Sequence, residues 1–399
     1  MKNRIPRLLS ILILAAFSAS ASAAAFQLWE QSASGLGNAY AGSAAVADNA
    51  STNFYNPAGL TYLPGTQISL GVSGIGPSYR FRNQGTTGLN AGGPDGGNAG
   101  ARAALPNAYF SRQLSDRLYF GFGISAPFGL ATEYEAANWL GANQAVKSEI
   151  RTVNYNPSLA YRLSDRVSLG FGLNYQTIDA EMTSGLAGGY RVKGDDSALG
   201  WNVGALFTLS PAMRLGLSYR SAIDYRLEGS RSLAGVSRSA SADIRLPDSF
   251  IFSVWQQLSE RWEAMGDLSY TRWSTLDKLV IDHGGATPDV ENFGYKNAWR
   301  VAWGAAYRYN EQAKLKFGIA WDRTPVSDAV RSPRVPDNDR LWLSLGGQWK
   351  LGQGGRVDVG YSYLYVRDPS IAQNRNGTSL NGRYDAGAHI LGAQYSLGF

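Results

Sequence analysis

The sequence predicts an all-β fold: a 14-stranded antiparallel transmembrane β-barrel with an N-terminal hatch plugging the lumen. Three observations predict this fold. Segments that alternate apolar with polar or small side chains recur from residue 66 onwards, and a period of two indicates β-strands. The connections between them are short and long in turn, which is typical of outer-membrane barrels. A segment before them, rich in small residues, resembles neither a helix nor a strand.

Residues 1–23 are predicted to be a signal peptide. Lys2, Arg4 and Arg7 precede an apolar run at residues 8–17, and Ala21-Ser22-Ala23 is a cleavage site made of small residues. The alternative is a membrane anchor, but the run is shorter than the ~20 residues of a spanning helix. The mature protein is therefore expected outside the cytoplasm.

The composition narrows the class of protein. The formal net charge is only +6, and the basic residues are scattered, which argues against a nucleic-acid partner. Without cysteine, the chain has neither disulfides nor thiolate chemistry. The 11 Trp, 22 Tyr, 15 Phe and 47 Gly residues fit a soluble β-sandwich as well as a barrel with aromatic girdles.

Residues 24–65 are predicted to form the hatch, and residues 66–399 the barrel. Gly, Ala, Ser and Asn dominate residues 26–60, where apolar residues keep no sustained period of 2 or 3.6. Small residues allow backbones to approach closely, and Asn56-Pro57 is a turn signal. A compact segment of this kind needs walls around it.

The clearest strand lies at residues 356–366. Valine and tyrosine occupy one face, whereas Arg356, Asp358 and Gly360 occupy the other. The dry core of a sandwich rarely accepts such charges, so an apolar face toward lipid and a polar face toward a lumen fit better. Fourteen such segments are predicted, near residues 66–82, 102–114, 117–128, 147–163, 166–182, 198–209, 213–226, 242–258, 261–274, 295–309, 313–323, 340–351, 355–367 and 386–399.

The connections support closure of these segments into a barrel. Short turns such as Ser115-Asp116, Ser164-Asp165 and Ser259-Glu260 alternate with long loops, apart from one join near residues 183–197. An even number of strands leaves no open sheet edge, as lipid demands. A barrel of this size has a lumen that side chains alone would not fill, which gives the hatch a place.

Six motifs, in this order, resemble one family. They are residues 26–28 (FQL) with 34–37 (SGLG), Asn56-Pro57-Ala58, residues 125–134 (SAPFGLATEY), Asn156-Pro157-Ser158, residues 246–250 (LPDSF) and residues 324–340 (TPVSDAVRSPRVPDNDR). The chain resembles the long-chain fatty acid transporters of Gram-negative outer membranes, a family that includes aromatic-hydrocarbon transporters. Asn56-Pro57-Ala58 alone could be an ordinary turn.

The resemblance implies a function and a route. A hydrophobic ligand, most simply a long-chain fatty acid, would enter an internal pocket and leave sideways through a gap at a kinked third strand. The resemblance implies passive diffusion by a monomer in the outer membrane, in contact with lipid, with no cofactor. Aromatic hydrocarbons are the alternative substrates, and a barrel that scaffolds an enzyme or adhesin is a further alternative.

The third predicted strand carries residues that disturb pairing. Glycines weaken strands, and proline lacks the N–H that a ladder needs. The strand's end merging into a loop is the alternative explanation. The residues predicted for the lateral-gap kink are Gly121, Gly123, Ala126, Pro127, Phe128 and Gly129.

Four residues are predicted to bind the ligand. Phe26 and Leu28 lie near the mature N-terminus, where the resemblance implies contact with an internal ligand. Arg220 and Arg300 have the lumen-facing parity of their strands, and Arg suits a carboxylate. The alternative is that both arginines pair with lumen acids such as Asp267.

No catalytic or metal site is predicted. His283 is placed in a long loop and His389 on an outward face, and neither has a neighbouring Ser/Asp pattern. No Cys/His/Asp cluster has the spacing of metal ligands.

Overall fold

The computed structural model describes residues 25–285, 287–352 and 354–399, so the predicted signal peptide lies outside the described residues. Its short α-helices are Ala33–Leu36 and Thr52–Tyr55, and its 3-10 helices are Pro57–Tyr62, Leu186–Gly188 and Trp273–Thr275. No helix among the described residues has the length and hydropathy of a membrane span. The strands are β1 (Thr66–Asn83), β2 (Thr87–Gly88), β3 (Ala103–Gln113), β4 (Leu118–Ser125), β5 (Gly129–Glu133), β6 (Lys147–Arg162), β7 (Val167–Ser184), β8 (Tyr190–Ser210), β9 (Met213–Arg220), β10 (Ile223–Leu233), β11 (Val236–Leu246), β12 (Ser249–Gln257), β13 (Trp262–Thr271), β14 (Lys278–Asp282), β15 (Asp289–Asn292), β16 (Ala298–Arg308), β17 (Ala313–Asp322), β18 (Arg340–Leu351), β19 (Gly355–Val366), β20 (Ser370–Arg375) and β21 (Thr378–Gly398).

These strands close into one antiparallel barrel. Strand β1 pairs with β21, from Gln67 opposite Gly398 to Asn83 opposite Gly382, and this pairing joins the two ends of the sheet. The wall has 14 strands, because seven of them consist of two pieces, namely β1 with β2, β4 with β5, β9 with β10, β11 with β12, β13 with β14, β15 with β16, and β19 with β20. Closure gives every wall strand two neighbours, so the predicted barrel is confirmed.

Several strands extend further than predicted. Strand β8 begins at Tyr190 and β21 at Thr378, within segments that the sequence suggested were loops. In β8, Arg191, Lys193 and Asp195 are exposed while Val192 between them is buried. Beyond the bilayer, a strand can carry charge on its outer face, so it loses the lipid-facing pattern that identified the other strands.

The two faces of the wall carry the predicted chemistry. Along β7, Leu169, Phe171 and Leu173 are exposed on the outside, as side chains in contact with lipid must be. Asn174 and Gln176 are buried on the lumen side of the same strand. The polar face of the wall is thus the face that contacts the hatch.

The hatch lies inside the barrel and is bonded to several wall strands. Asn38 donates to the carbonyl oxygens of Ala305 and Phe317 on neighbouring strands, at 2.8 and 3.1 Å. Gly318 faces the backbone of Asn38 so closely that a Cβ there would overlap it. Glycine on the lumen face therefore makes room for the backbone of the hatch.

Candidate functional site: a break in the wall beside an apolar cavity

The third wall strand is broken between β4 and β5. The ladder between β3 and β4 ends where Ala108 faces Ile124, whereas β6 stays paired with both pieces. Residues 103–107 of β3 therefore have a partner only on the β1 side. A cavity separates them from the break, lined by Leu28, Ala104, Leu105, Pro106, Ala126, Phe128, Gly129, Arg151 and Thr152.

Gly121 and Gly123 lie outside this break, so the prediction that they weaken pairing is wrong. Both are paired with β3 and β6 in the regular part of the wall. A Cβ on Gly121 would overlap Asn53 and come within 2.7 Å of the Leu60 side chain, both in the hatch. Gly121 is therefore small because the hatch packs against it.

The N-terminal segment of the hatch pairs with the broken edge. Leu28 N donates to Pro127 O at 2.8 Å, and Gly129 N donates to Phe26 O at 2.8 Å. On the other side of the break, Phe128 N donates to Thr152 Oγ1 at 3.0 Å. Backbone groups that β3 leaves unpaired thus find other partners, as buried groups must.

An apolar cavity lies on the lumen side above the break, with about 730 Å³ of space not filled by atoms, part of it open to solvent. Phe26 lines this cavity, and its ring lies 4.8 Å from that of Trp273 and 6.2 Å from that of Phe128. The other apolar lining residues come mainly from the outer halves of the wall strands: Leu130, Ile150, Ala180, Met182, Val192, Leu227, Ala240, Ala242, Ile244, Leu279, Ile281, Phe293 and Val335.

Leu28 occupies a second position on the same path. It lines the cavity at the break and also an inner cavity bordered by Phe54, Phe128 and Arg220. Phe26 and Leu28 therefore separate the apolar cavity from the break in the wall. Ligand contact by both residues stays a prediction, which their position favours.

Arg334 is a cation at the apolar cavity that the sequence analysis missed. It is buried and lines the cavity, and it donates to Ser148 Oγ at 2.9 Å and to Gln144 O at 2.8 Å. Burial lowers the pKa of its guanidinium, and the Glu291 carboxylate, 3.8 Å from Nε, opposes that shift. Arginine stays charged at neutral pH, so this wall of the cavity can receive an anion.

Comparison with known proteins identifies the family. The family described as "Outer membrane protein transport protein (OMPP1/FadL/TodX)" matches residues 14–399. The chain belongs to this family. Outer membrane protein P1 of Haemophilus influenzae is 33% identical, with 100% of both chains covered. A long-chain fatty acid transport protein of Escherichia coli O6:H1 is 29% identical, with 97% of both covered.

A solved structure supports the fold of this OMPP1/FadL/TodX family member. The crystal structure of a Pseudomonas aeruginosa FadL homologue has a TM-score of 0.88 at 24% identity, covering 94% of this chain and 99% of that one. The 14-stranded barrel is thereby confirmed. The family and the relative named outer membrane protein P1 confirm its place in the outer membrane.

The two predicted arginines contact the hatch of this family member. Arg220 Nη2 donates to Phe54 O at 2.8 Å, and its guanidinium lies 4.2 Å from the Phe54 ring. Arg300 Nη2 donates to Ala39 O at 2.7 Å, beneath the ring of Trp29. Asp267, the acid named in the alternative, accepts from Gly42 N and Ser43 Oγ and so also binds the hatch. Ligand contact stays a prediction for both arginines, of which Arg220 borders the inner cavity.

Asn56-Pro57-Ala58 joins the hatch to the wall. Asn56 Oδ1 accepts from Ala58 N at 3.0 Å and so caps the 3-10 helix. Its Nδ2 donates to Ala44 O at 2.7 Å and to Ala205 O on β8 at 3.1 Å. The side chain therefore fixes the hatch to the barrel wall.

Proposed function

We propose that the protein carries long-chain fatty acids across the outer membrane by passive diffusion, with release through the break between β4 and β5. One observation carries this proposal: Phe26 lines the apolar cavity and Leu28 lines the cavity at the break, while the backbones of both residues pair with the broken wall edge. A shift of this short segment would connect the cavity with the break.

Sideways release suits a ligand with a long apolar chain. Each buried CH₂ group contributes about 0.8 kcal/mol relative to water. The lipid beside the barrel is therefore a far better destination for the chain than an aqueous path through the hatch. Bilayer lipid is accordingly the partner that receives the ligand.

The cavity also suits a carboxylate. Its lining is mainly apolar, and Arg334 is the buried member of its charged groups, which are Glu149, Glu181, Lys193 and Arg334. An arginine can bind a carboxylate through charge-assisted hydrogen bonds. The relatives named as long-chain fatty acid transport proteins support the same substrate class. The barrel would act as a monomer and without enzymatic chemistry, because diffusion down a gradient needs none.

A blocking experiment tests this route. The chain has no cysteine, so Ala104→Cys, whose side chain is exposed and lines the break, can be labelled alone with a bulky maleimide. We expect the label to abolish uptake of radioactive oleate by cells that lack their own transporter. Arg238→Cys, exposed on β11, is the matched control and should import normally after labelling.

Two results would contradict the proposal. If labelled Ala104→Cys imports oleate like the unlabelled protein, the ligand leaves elsewhere. If the cells take up a monoaromatic hydrocarbon but no oleate, the substrate class is wrong.

A further inference from the structure

The broken edge of the wall leaves one residue whose backbone is satisfied entirely by a side chain. Ala126 follows the last residue of β4, and its N–H and C=O have no β3 partner. Its N donates to Gln31 Oε1 at 3.1 Å, and its O accepts from Gln31 Nε2 at 2.8 Å. The amide of Gln31 thus offers one acceptor and one donor, as a neighbouring strand would.

Gln31 touches both sides of the break. Its backbone O accepts from the Tyr109 hydroxyl at 2.7 Å, and Tyr109 lies on β3 near the end of the intact ladder. Its Nε2 also donates to Leu28 O at 2.9 Å, within the segment that pairs with the broken edge. Gln31 is fully buried, so the loss of these contacts costs free energy because water cannot readily replace them.

Strand β3 could not simply take over this role. If the register of β3 and β4 continued past Ala108 and Ile124, Ala126 would face Pro106. Proline has no N–H to donate to Ala126 O. The sequence thus places Pro106 and Pro127 on opposite sides of the break, and the glutamine supplies the missing donor.

We propose that Gln31 is a positioning residue that holds the lateral gap open by replacing the missing strand partner of Ala126. This inference rests on the proposed function, since it assumes release through the gap. Without the amide, Ala126 would leave two buried polar groups unpaired, and the two sides of the break would rearrange to satisfy them. Gln31 does not line the apolar cavity, so a variant at Gln31 should still bind ligand in that cavity.

Gln31→Met removes the amide at nearly constant side-chain length. We expect oleate uptake to fall about tenfold, which corresponds to the loss of one or two net hydrogen bonds. Binding of a fluorescent fatty acid to purified protein should stay within twofold of wild type. Heat-modifiable gel migration reports whether the barrel is folded.

Gln31→Glu gives a readout that a merely structural role would not produce. A neutral carboxyl group has one donor and one acceptor and can still pair with Ala126, whereas a carboxylate has no donor and repels the carbonyl oxygen. Burial raises the pKa of a carboxyl group. Uptake relative to wild type should therefore rise several-fold as the pH falls from about 8 to about 5. Gln113→Glu, at the far end of β3, is the control and should show a flat ratio.

The outcomes separate this inference from the proposed route. If both Gln31 variants import like wild type at every pH while labelled Ala104→Cys is blocked, lateral release stands and the role of Gln31 is refuted. A Gln31→Met variant that loses binding and uptake equally also refutes a positioning role. If labelled Ala104→Cys imports normally, the route itself is wrong.

Discussion

Replacing Arg334 with methionine should weaken binding of a fatty acid but not of the corresponding fatty alcohol. A hydrogen bond to a charged group contributes about 1.5–3 kcal/mol. Glu291 lies 3.8 Å from Arg334 Nε and already shares the charge, so the lower part of that range applies. A loss of about 1.5–2 kcal/mol corresponds to roughly 10- to 30-fold weaker binding.

The Arg334→Met substitution can be interpreted from the partners that the guanidinium leaves behind. Glu291 keeps a partner, because Arg375 Nη1 lies 2.6 Å from its Oε2. Ser148 Oγ and the carbonyl oxygens of Gln144, Lys147 and Thr183 lose hydrogen bonds from the guanidinium. This can cost stability but does not distinguish an acid from an alcohol. Arg334→Lys retains the charge and should recover part of the affinity.

Competition binding to purified protein measures this difference. Palmitic acid and hexadecanol displace the same fluorescent probe, and the ratio of their affinities isolates the head group. We expect that ratio to fall 10- to 30-fold in Arg334→Met, roughly the loss worked out above. An equal loss for acid and alcohol would show that Arg334 only supports the cavity wall, and the reasoning about the carboxylate would be refuted.

Two further predictions concern the hatch and the topology. Gly318→Val places a side chain against the Asn38 backbone, so the hatch should be displaced and ion conductance in planar bilayers should rise, whereas Gly92→Val, in a loop with open space, should leave conductance low. A cysteine introduced at Ser164, in a short turn between β6 and β7, should not react with an impermeant maleimide on intact cells. Reaction there, with Arg238→Cys unreactive, would invert the topology.

The barrel could be predicted because its signal is local. Each strand between lipid and lumen must alternate, and sequence neighbours such as Leu169, Phe171 and Leu173 record that requirement directly. Strands could not be predicted beyond the bilayer, where a strand no longer has to alternate between a lipid-facing and a lumen-facing side chain. At residues 190–197 the outer face is charged, and only pairing with β7 shows that the strand continues.

The site was harder to predict because it depends on partners distant in sequence. Pro127 was recognised, but Pro106 and Gln31 gave no signal without the register that brings both to Ala126. Gly121 looked like a weak point in a strand, although it is small because Asn53 packs there. Arg334 belongs to a motif of the family, yet nothing in a loop sequence states which way a side chain points.

The contacts of the hatch divide it into parts with different freedom to move. Asn38 and Asn56 are each bonded to wall carbonyls, and Arg220 and Arg300 hold other carbonyls of the hatch core. Residues 26–28 are held instead by the packing of the Phe26 ring, by backbone hydrogen bonds to the broken edge and by single bonds from Gln31 and Thr271. Each of these hydrogen bonds contributes only about 0.5–1.5 kcal/mol. A long acyl chain gains about 0.8 kcal/mol per buried CH₂ group, which is enough to displace this segment but not the core. We therefore expect the hatch core to keep the lumen closed to ions while the N-terminal segment opens a path to lipid.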